Sequence, residues 1–184
     1  MDTVTLAMIG GFTLLVLATL WNTLVAPKKR PVQPKGEIAA LANQQGFSAS
    51  DATMVYDGVV KGHDVRLRGE PPSAGIHVDN GHGLHMTIEH GHHAPAQAKQ
   101  GLIDVPANRE GITIRADYPL LVQQLVDDET LKRIADAPEA AFVLGDTTLT
   151  VTAAKPDRKT LQKLVNLGVD LAAALEELNG VDLR

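Results

Sequence analysis

The chain has 184 residues, of which 44% are hydrophobic, 21% are charged and 3% are aromatic, so it is globular in composition with an aliphatic core. It contains no cysteine, which excludes disulfides, thiolate metal sites, iron–sulfur clusters and cysteine nucleophiles. Residues 36–184 hold 13 basic and 21 acidic side chains, a net charge of −8. This charge argues against a nucleic-acid partner, because phosphate binding requires a basic face.

An uncharged run of 23 residues extends from Val4 to Ala26. As a helix that rises about 1.5 Å per residue, it spans about 34 Å, enough to cross a hydrocarbon layer of about 30 Å. We therefore predict that residues 1–26 form a single-pass transmembrane anchor. A cleavable signal peptide fits less well, because only Asp2 precedes the run where a signal peptide carries positive charge.

The charges that flank the predicted helix indicate its orientation. Lys28, Lys29 and Arg30 follow it directly, and by the positive-inside rule they place its C-terminal side in the cytoplasm. The N-terminus then lies outside the inner cell membrane and the soluble part lies on the cytoplasmic face. Trp21 is near the same end, where an indole prefers the membrane interface. Residues 27–36 contain three prolines and predict an extended basic tether.

Small residues give the predicted helix a surface for packing. Ala7, Gly11 and Ala18 are spaced four and seven residues apart, so they lie on one stripe of the helix. Such a stripe lets a second helix approach closely. We predict contact with other membrane protein subunits as well as with the lipid bilayer. Small residues are also common in membrane helices in general, so the pattern permits a partner without specifying one.

Residues 37–184 predict one soluble domain. A short helix at 37–45, ended by Gly46, precedes a period-two region at 54–90 that predicts two hairpins, with turns at Gly62-His63 and at Asn80-Gly81. A loop at 91–109 and a strand at 111–116 follow.

The rest of the domain predicts helices and one further hairpin. A helical stretch at 118–135 is divided at Asp127-Asp128, and a hairpin at 141–153 turns at Gly145-Asp146. A last helix, opened by Asp157, carries a continuous apolar stripe. This order predicts an α+β fold, with a mainly antiparallel sheet packed against two or three helices.

Six of the seven histidines fall between residues 77 and 93. An odd-length loop at Asn80-Gly81 pairs Ile76 with Met86 and sets His77 opposite His85, and Glu89 continues the same face. Imidazole and carboxylate are usual ligands of Zn²⁺ when thiolate is absent, so these three residues are candidate metal ligands. The spacing matches no fixed metal motif. The alternatives are a polar outer strand face with a loop, and a pH sensor in which protonated imidazoles repel.

The sequence contains no nucleophile elbow, P-loop, dinucleotide fingerprint after a strand, or H-E-x-x-H helix. We therefore predict a non-enzymatic protein without a cofactor. The function that we expect is a membrane-tethered binding or assembly module, a single-helix accessory subunit of a larger membrane complex. The alternative is a metal- or pH-responsive domain that uses the histidine-rich segment 77–93.

Overall fold

The computed structural model describes residues 36–50, 54–91, 101–137, 139–154 and 156–179, all within one compact unit that begins at Lys35. Within these ranges, no helix is both long and apolar enough to cross a membrane. The predicted anchor at 4–26 lies outside the described residues. The same holds for the site residues predicted in that segment: Ala7, Gly11, Ala18, Trp21, Lys28, Lys29 and Arg30.

The described part of the chain contains nine strands and four helices. The strands are β1 (Ser48–Ala49), β2 (Val55–Val60), β3 (His63–Arg68), β4 (Ser73–His77), β5 (Met86–His90), β6 (Ile103–Val105), β7 (Ile112–Ala116), β8 (Ala140–Leu144) and β9 (Thr148–Ala153). The helices are α1 (Glu37–Gln45), α2 (Pro119–Leu125), α3 (Asp128–Ala135) and α4 (Arg158–Leu178).

All nine strands join one antiparallel sheet in the order β1-β2-β3-β4-β9-β8-β5-β7-β6. The predicted α+β class, an antiparallel sheet packed with helices, is confirmed. The predicted division of the 118–135 stretch and the start of the last helix are also confirmed, because α2 and α3 are separate and Asp157 caps α4. Two short strands were not predicted, and one of them, β6, lies inside the predicted loop at 91–109.

The predicted second hairpin is wrong. Strand β4 pairs with β3 and β9, whereas β5 pairs with β7 and β8, so the β8–β9 hairpin separates them. Ile76 lies opposite Leu149, and Met86 lies opposite Leu144. Residues 78–85 therefore cross between two strands that are not neighbours. The physical reason is that the inserted hairpin offers apolar partners on the same face to both strands.

The first hairpin was predicted correctly, but its turn was placed one residue too late. Val60 lies opposite His63, so the turn consists of Lys61 and Gly62. Both have positive φ, 50° and 91°, as a two-residue turn of the primed type requires. A turn at Gly62-His63 would have set Val60 opposite Val65, so the observed register of β2 against β3 differs from the predicted one by two residues.

One face of the sheet packs against the helices and forms the core. Helix α4 comes closest to the sheet at Gly168, where a Cβ atom would lie 2.5 Å from Ile76 Cδ1 and 2.8 Å from Val151 Cγ2. Only glycine fits this contact without displacing a buried neighbour. Leucines along α4 fill the space on either side of it: Leu161, Leu164, Leu167, Leu171 and Leu175.

Candidate functional site

Residues 78–85, which we call the crossover loop, are fixed by the side chain of Asn80. Its Nδ2 donates to the carbonyl oxygens of Leu84, at 2.8 Å, and of Gly145, at 3.0 Å, and its Oδ1 accepts from Leu84 N at 3.0 Å. One amide side chain thus ties the loop to itself and to the β8–β9 turn. The loop that carries two of the clustered histidines is held by specific bonds at its centre.

The same loop contacts the C-terminal end of α4. Asn179 Nδ2 donates to the Asp79 carbonyl at 2.8 Å, and Gly81 N donates to Asn179 Oδ1 at 3.0 Å. His82 Nε2 lies 2.9 Å from the carbonyl oxygen of Leu178. The last carbonyls of a helix lack partners within the helix, so a donor from His82 satisfies one of them. His82 therefore has a structural role here.

His85 joins three parts of the fold at the start of β5. Its Nδ1 lies 3.1 Å from Asp117 Oδ2, and its Nε2 lies 3.0 Å from Asp146 Oδ1. Its main-chain N donates to Asp117 Oδ1 at 2.8 Å. A neutral imidazole has one N–H, so only the protonated ring can donate to both carboxylates. With a protonated ring, this arrangement is an ion-pair junction between the end of β7 and the β8–β9 turn.

The structure does not bring the predicted metal ligands together. The pairing of His77 with His85 is wrong, because His77 lies exposed on β4 opposite Thr148. Glu89 is buried on β5, where its Oε1 accepts from Arg115 Nη2 at 3.2 Å. Over the described ranges, no group of three or more histidines, aspartates and glutamates is placed to hold a metal ion. The metal hypothesis therefore loses the pairing on which it depended.

The side of the sheet opposite the helices, which we call the open face, carries a groove of about 880 Å³ over β2, β3, β4 and β9. Gly75 lies in its lining, and charged and hydroxyl side chains line it together: Asp57, Asp64, Arg66, Arg68, Ser73, His77, Thr148 and Thr150. The two arginines match the two aspartates in number. The groove therefore suits a polar ligand better than a strongly charged one.

One of the two arginines in this groove is neutralised by an ion pair. Arg66 Nε donates to Asp57 Oδ1 at 2.6 Å, and this hydrogen bond together with the aspartate charge raises the pKa of Arg66. Arg68, two residues along β3, has no carboxylate partner within the described part of the chain. The open face thus presents one neutralised guanidinium and one that is available to a ligand.

A second surface lies where the sheet ends at β6. A pocket of about 370 Å³, which we call the α2–α3 pocket, is enclosed by β6, β7, α2 and α3. Its lining includes the apolar side chains of Val105, Ile114 and Leu131, and also Asp127 and Asp128, which lie at the start of α3. Its lining is mixed, because two amide side chains, Asn108 and Gln123, and the two carboxylates lie among the apolar residues.

Large apolar side chains are exposed beside this pocket. Ile103 is 59% exposed and precedes Val105 by two residues on β6, so both lie on the same side of the strand. Leu120 is 77% exposed and lies one helical turn before the pocket residue Gln123, and Tyr118 is 53% exposed at the start of α2. These three exposed apolar side chains lie close to the pocket along the chain and outside its lining.

Asp127 is the N-cap of α3, and this role favours its ionised form. Thr130 N donates to Asp127 Oδ1 at 2.8 Å, and hydrogen bonds from the side chain and main-chain N–H of Thr130 lower the pKa of Asp127. The sequence indicates this helix start, but it gives no signal for the pocket. The pocket exists only because β6 and β7 pair beside α2, and β6 has three residues.

Comparison with known proteins gives a likeness of fold and no family. No family model and no curated protein sequence matches the chain. The crystal structure of the mycobacterial trehalose monomycolate transport factor A is similar, with a TM-score of 0.59. The match covers 76% of this chain and 92% of that one, at 10% sequence identity. At this identity the likeness shows a shared fold alone.

Proposed function

We propose that this protein is a non-enzymatic binding or assembly module, tethered to the inner membrane by the predicted helix at 4–26. In this role it is an accessory subunit of a larger membrane protein complex, with its domain on the cytoplasmic side. One observation carries the proposal, namely the exposure of Ile103, Tyr118 and Leu120 beside the α2–α3 pocket. Exposed apolar side chains grouped on a surface are typical of a protein interaction site.

The structural neighbour suggests a setting for such a module. That protein is named as a transport factor for trehalose monomycolate. We propose that the present chain also serves a membrane transport assembly. The likeness supports this setting through the fold only, so the cargo is not carried over.

Extraction of the full chain from its native membranes tests the proposal. In mild detergent, we expect the tagged protein to migrate with partner subunits. Leu120→Glu should reduce the recovered partner about fivefold or more, because it places a charge on the apolar surface. Val59→Glu is the matched control, since Val59 is 61% exposed on β2, at the opposite end of the sheet. A wild-type chain that migrates alone contradicts the proposal.

The predicted helix is tested separately by Gly11→Leu. A leucine on the small-residue stripe should weaken co-purification of the partner while membrane insertion continues, because only close helix packing requires a small side chain. Full retention of the partner would limit the helix to a tether. This outcome would leave the contribution of the soluble domain unaffected.

A pH-responsive domain is the second candidate, favoured by the position of His85 between Asp117 and Asp146. Protonation gives an imidazole a second N–H, so that the ring can donate to two carboxylates at once. Asp146→Asn should therefore lower the free energy of unfolding more in acidic than in alkaline buffer, because both carboxylates favour the protonated ring. We expect a small difference, because the Asp146 side chain is 90% exposed. An equal loss at both pH values would remove this candidate.

A further inference from the structure

The α2–α3 pocket has apolar side chains in its wall and two carboxylates, Asp127 and Asp128, beside them. Val105, Ile114 and Leu131 lie in its lining, and the exposed Ile103 and Leu120 lie beside it. A volume of about 370 Å³ accepts one or two large apolar side chains. The first requirement for an occupant is therefore an apolar side chain that is accessible on the partner's surface.

The charge next to the pocket sets the second requirement. Asp127, Asp128 and Glu129 are consecutive acids at the start of α3, and the first two line the pocket. Arg133, a base on the same helix, contributes to the lowered pKa of Asp127 through its charge, but its Nη2 donates to Asp170 Oδ2 at 2.7 Å. An occupant with an arginine or lysine beside its apolar side chain complements this surface.

The predicted location of the domain indicates where such an occupant comes from. Membrane proteins carry an excess of lysine and arginine in their short cytoplasmic loops. The predicted orientation places this acidic domain, with its net charge of −8 over residues 36–184, beside those loops. A basic loop close to the membrane surface thus offers the charge that the pocket lacks.

We infer that the α2–α3 pocket binds a cytoplasmic loop of a membrane protein partner. An apolar side chain of the loop fills the pocket, and a lysine or arginine beside it pairs with Asp127 and Asp128. The inference rests on the proposed assembly function and specifies its partner surface. Binding of this kind is steered by charge, so it weakens as salt is added.

Photo-cross-linking of the full chain in its native membranes tests the inference. A benzophenone amino acid at Gln123, an exposed residue in the pocket lining, should cross-link to a partner peptide that can be sequenced by mass spectrometry. We expect that peptide to contain lysine or arginine and to lie within about 20 residues of a transmembrane segment, on its cytoplasmic side. The same probe at Val59, at the far end of the sheet, should not yield this peptide.

Charge variants supply the matched control. Asp127→Asn with Asp128→Asn removes both carboxylates, and asparagine is as good an N-cap as aspartate, so α3 is preserved. The yield of the Gln123 cross-link should fall about fivefold. Asp157→Asn with Glu177→Gln makes the same change of net charge, again at an N-cap and at one exposed position, and should leave the yield unchanged.

Three results would overturn the inference. They are a cross-linked peptide without basic residues, equal yields from the two double variants, and no cross-link from Gln123. The absence of a cross-link is interpreted together with the native migration of the chain extracted in mild detergent. If the chain still migrates with partner subunits, only the assignment of the pocket fails. If it migrates alone, the assembly proposal fails with it.

Discussion

The two faces of the sheet are built by the same strands and have opposite chemistry. On β4 and β9, Ala74, Ile76, Leu149 and Val151 are buried under α4. The residues that alternate with them, among them His77 and Thr148, are exposed on the open face. Since a strand turns successive side chains to opposite sides, one segment contributes both to the core and to an exposed polar surface. Substitutions at adjacent positions should therefore separate the two.

The largest expected effect concerns two glycines. Gly168→Ala should lower the free energy of unfolding by about 1–3 kcal/mol, because the new methyl group overpacks the contact with Ile76 and Val151. This loss is the net effect, after the gain of about 1 kcal/mol in helix propensity has been subtracted from the cost of overpacking. Gly75→Ala on the open face meets only an ordinary contact, 3.5 Å from Thr148 Cγ2, and should be neutral or slightly stabilising.

Chemical denaturation of the two alanine variants measures this contrast. Equal stabilities would mean that α4 shifts away from the sheet without cost, which would contradict a tightly packed covered face. If Gly75→Ala instead destabilised the protein, the open face would be packed against something that the glycine approaches. Either result would contradict the expected difference in packing between the two faces, at a defined atom.

The next largest effect is expected from two opposite substitutions, one of valine by threonine and one of threonine by valine, which have nearly the same shape. Val151→Thr places a hydroxyl in the apolar core and should cost about 1–3 kcal/mol. Thr87 lies on β5 and faces the side of the sheet opposite the helices, where it is 1% exposed. Its hydroxyl has no hydrogen-bond partner within the described residues. Thr87→Val should therefore be neutral or stabilising by about 1 kcal/mol, because it removes an unpaired buried group. A clear loss of stability in Thr87→Val would show that its hydroxyl is paired in solution.

The sequence predicted the local elements better than the order of strands. The bounds of α1, the break before α3 and the turn of the β8–β9 hairpin all depend on nearby residues, such as Gly46 and Asp127. The predicted partner of β4 was wrong, because the two-residue alternation of apolar side chains indicates which face of a strand is buried and not which strand lies beside it. Ile76 satisfies the rule opposite Leu149 as well as it would opposite Met86.

The candidate sites were predictable only in part for the same reason. His85 was predicted to bind a ligand, but its carboxylate contacts are 32 and 61 residues away in sequence, at Asp117 and Asp146. The periodicity of apolar residues along the sequence does not predict contacts between residues so far apart. Strand β6 is too short to produce an alternating pattern, so the pocket beside it had no sequence signal. Ile103 was therefore placed within a loop.

The smallest expected effect concerns the N-cap of α4, which we compare with the N-cap of α3. Hydrogen bonds from the side chain and main-chain N–H of Thr160 lower the pKa of Asp157, as Thr130 does for Asp127. A carboxylate with a lowered folded-state pKa stabilises the protein above its unfolded value, about 3.9, and this contribution is lost as the pH falls through the folded value.

Asp157→Asn keeps the cap but does not titrate. The gap in denaturation midpoint between wild type and this variant should therefore be small and constant from about pH 7 to pH 5, and it should shrink below about pH 4. Asp127→Asn should behave in the same way if capping alone determines the effect. A larger gap for Asp127→Asn at neutral pH, present only when the partner is bound, would instead assign the extra stabilisation to the loop at the α2–α3 pocket.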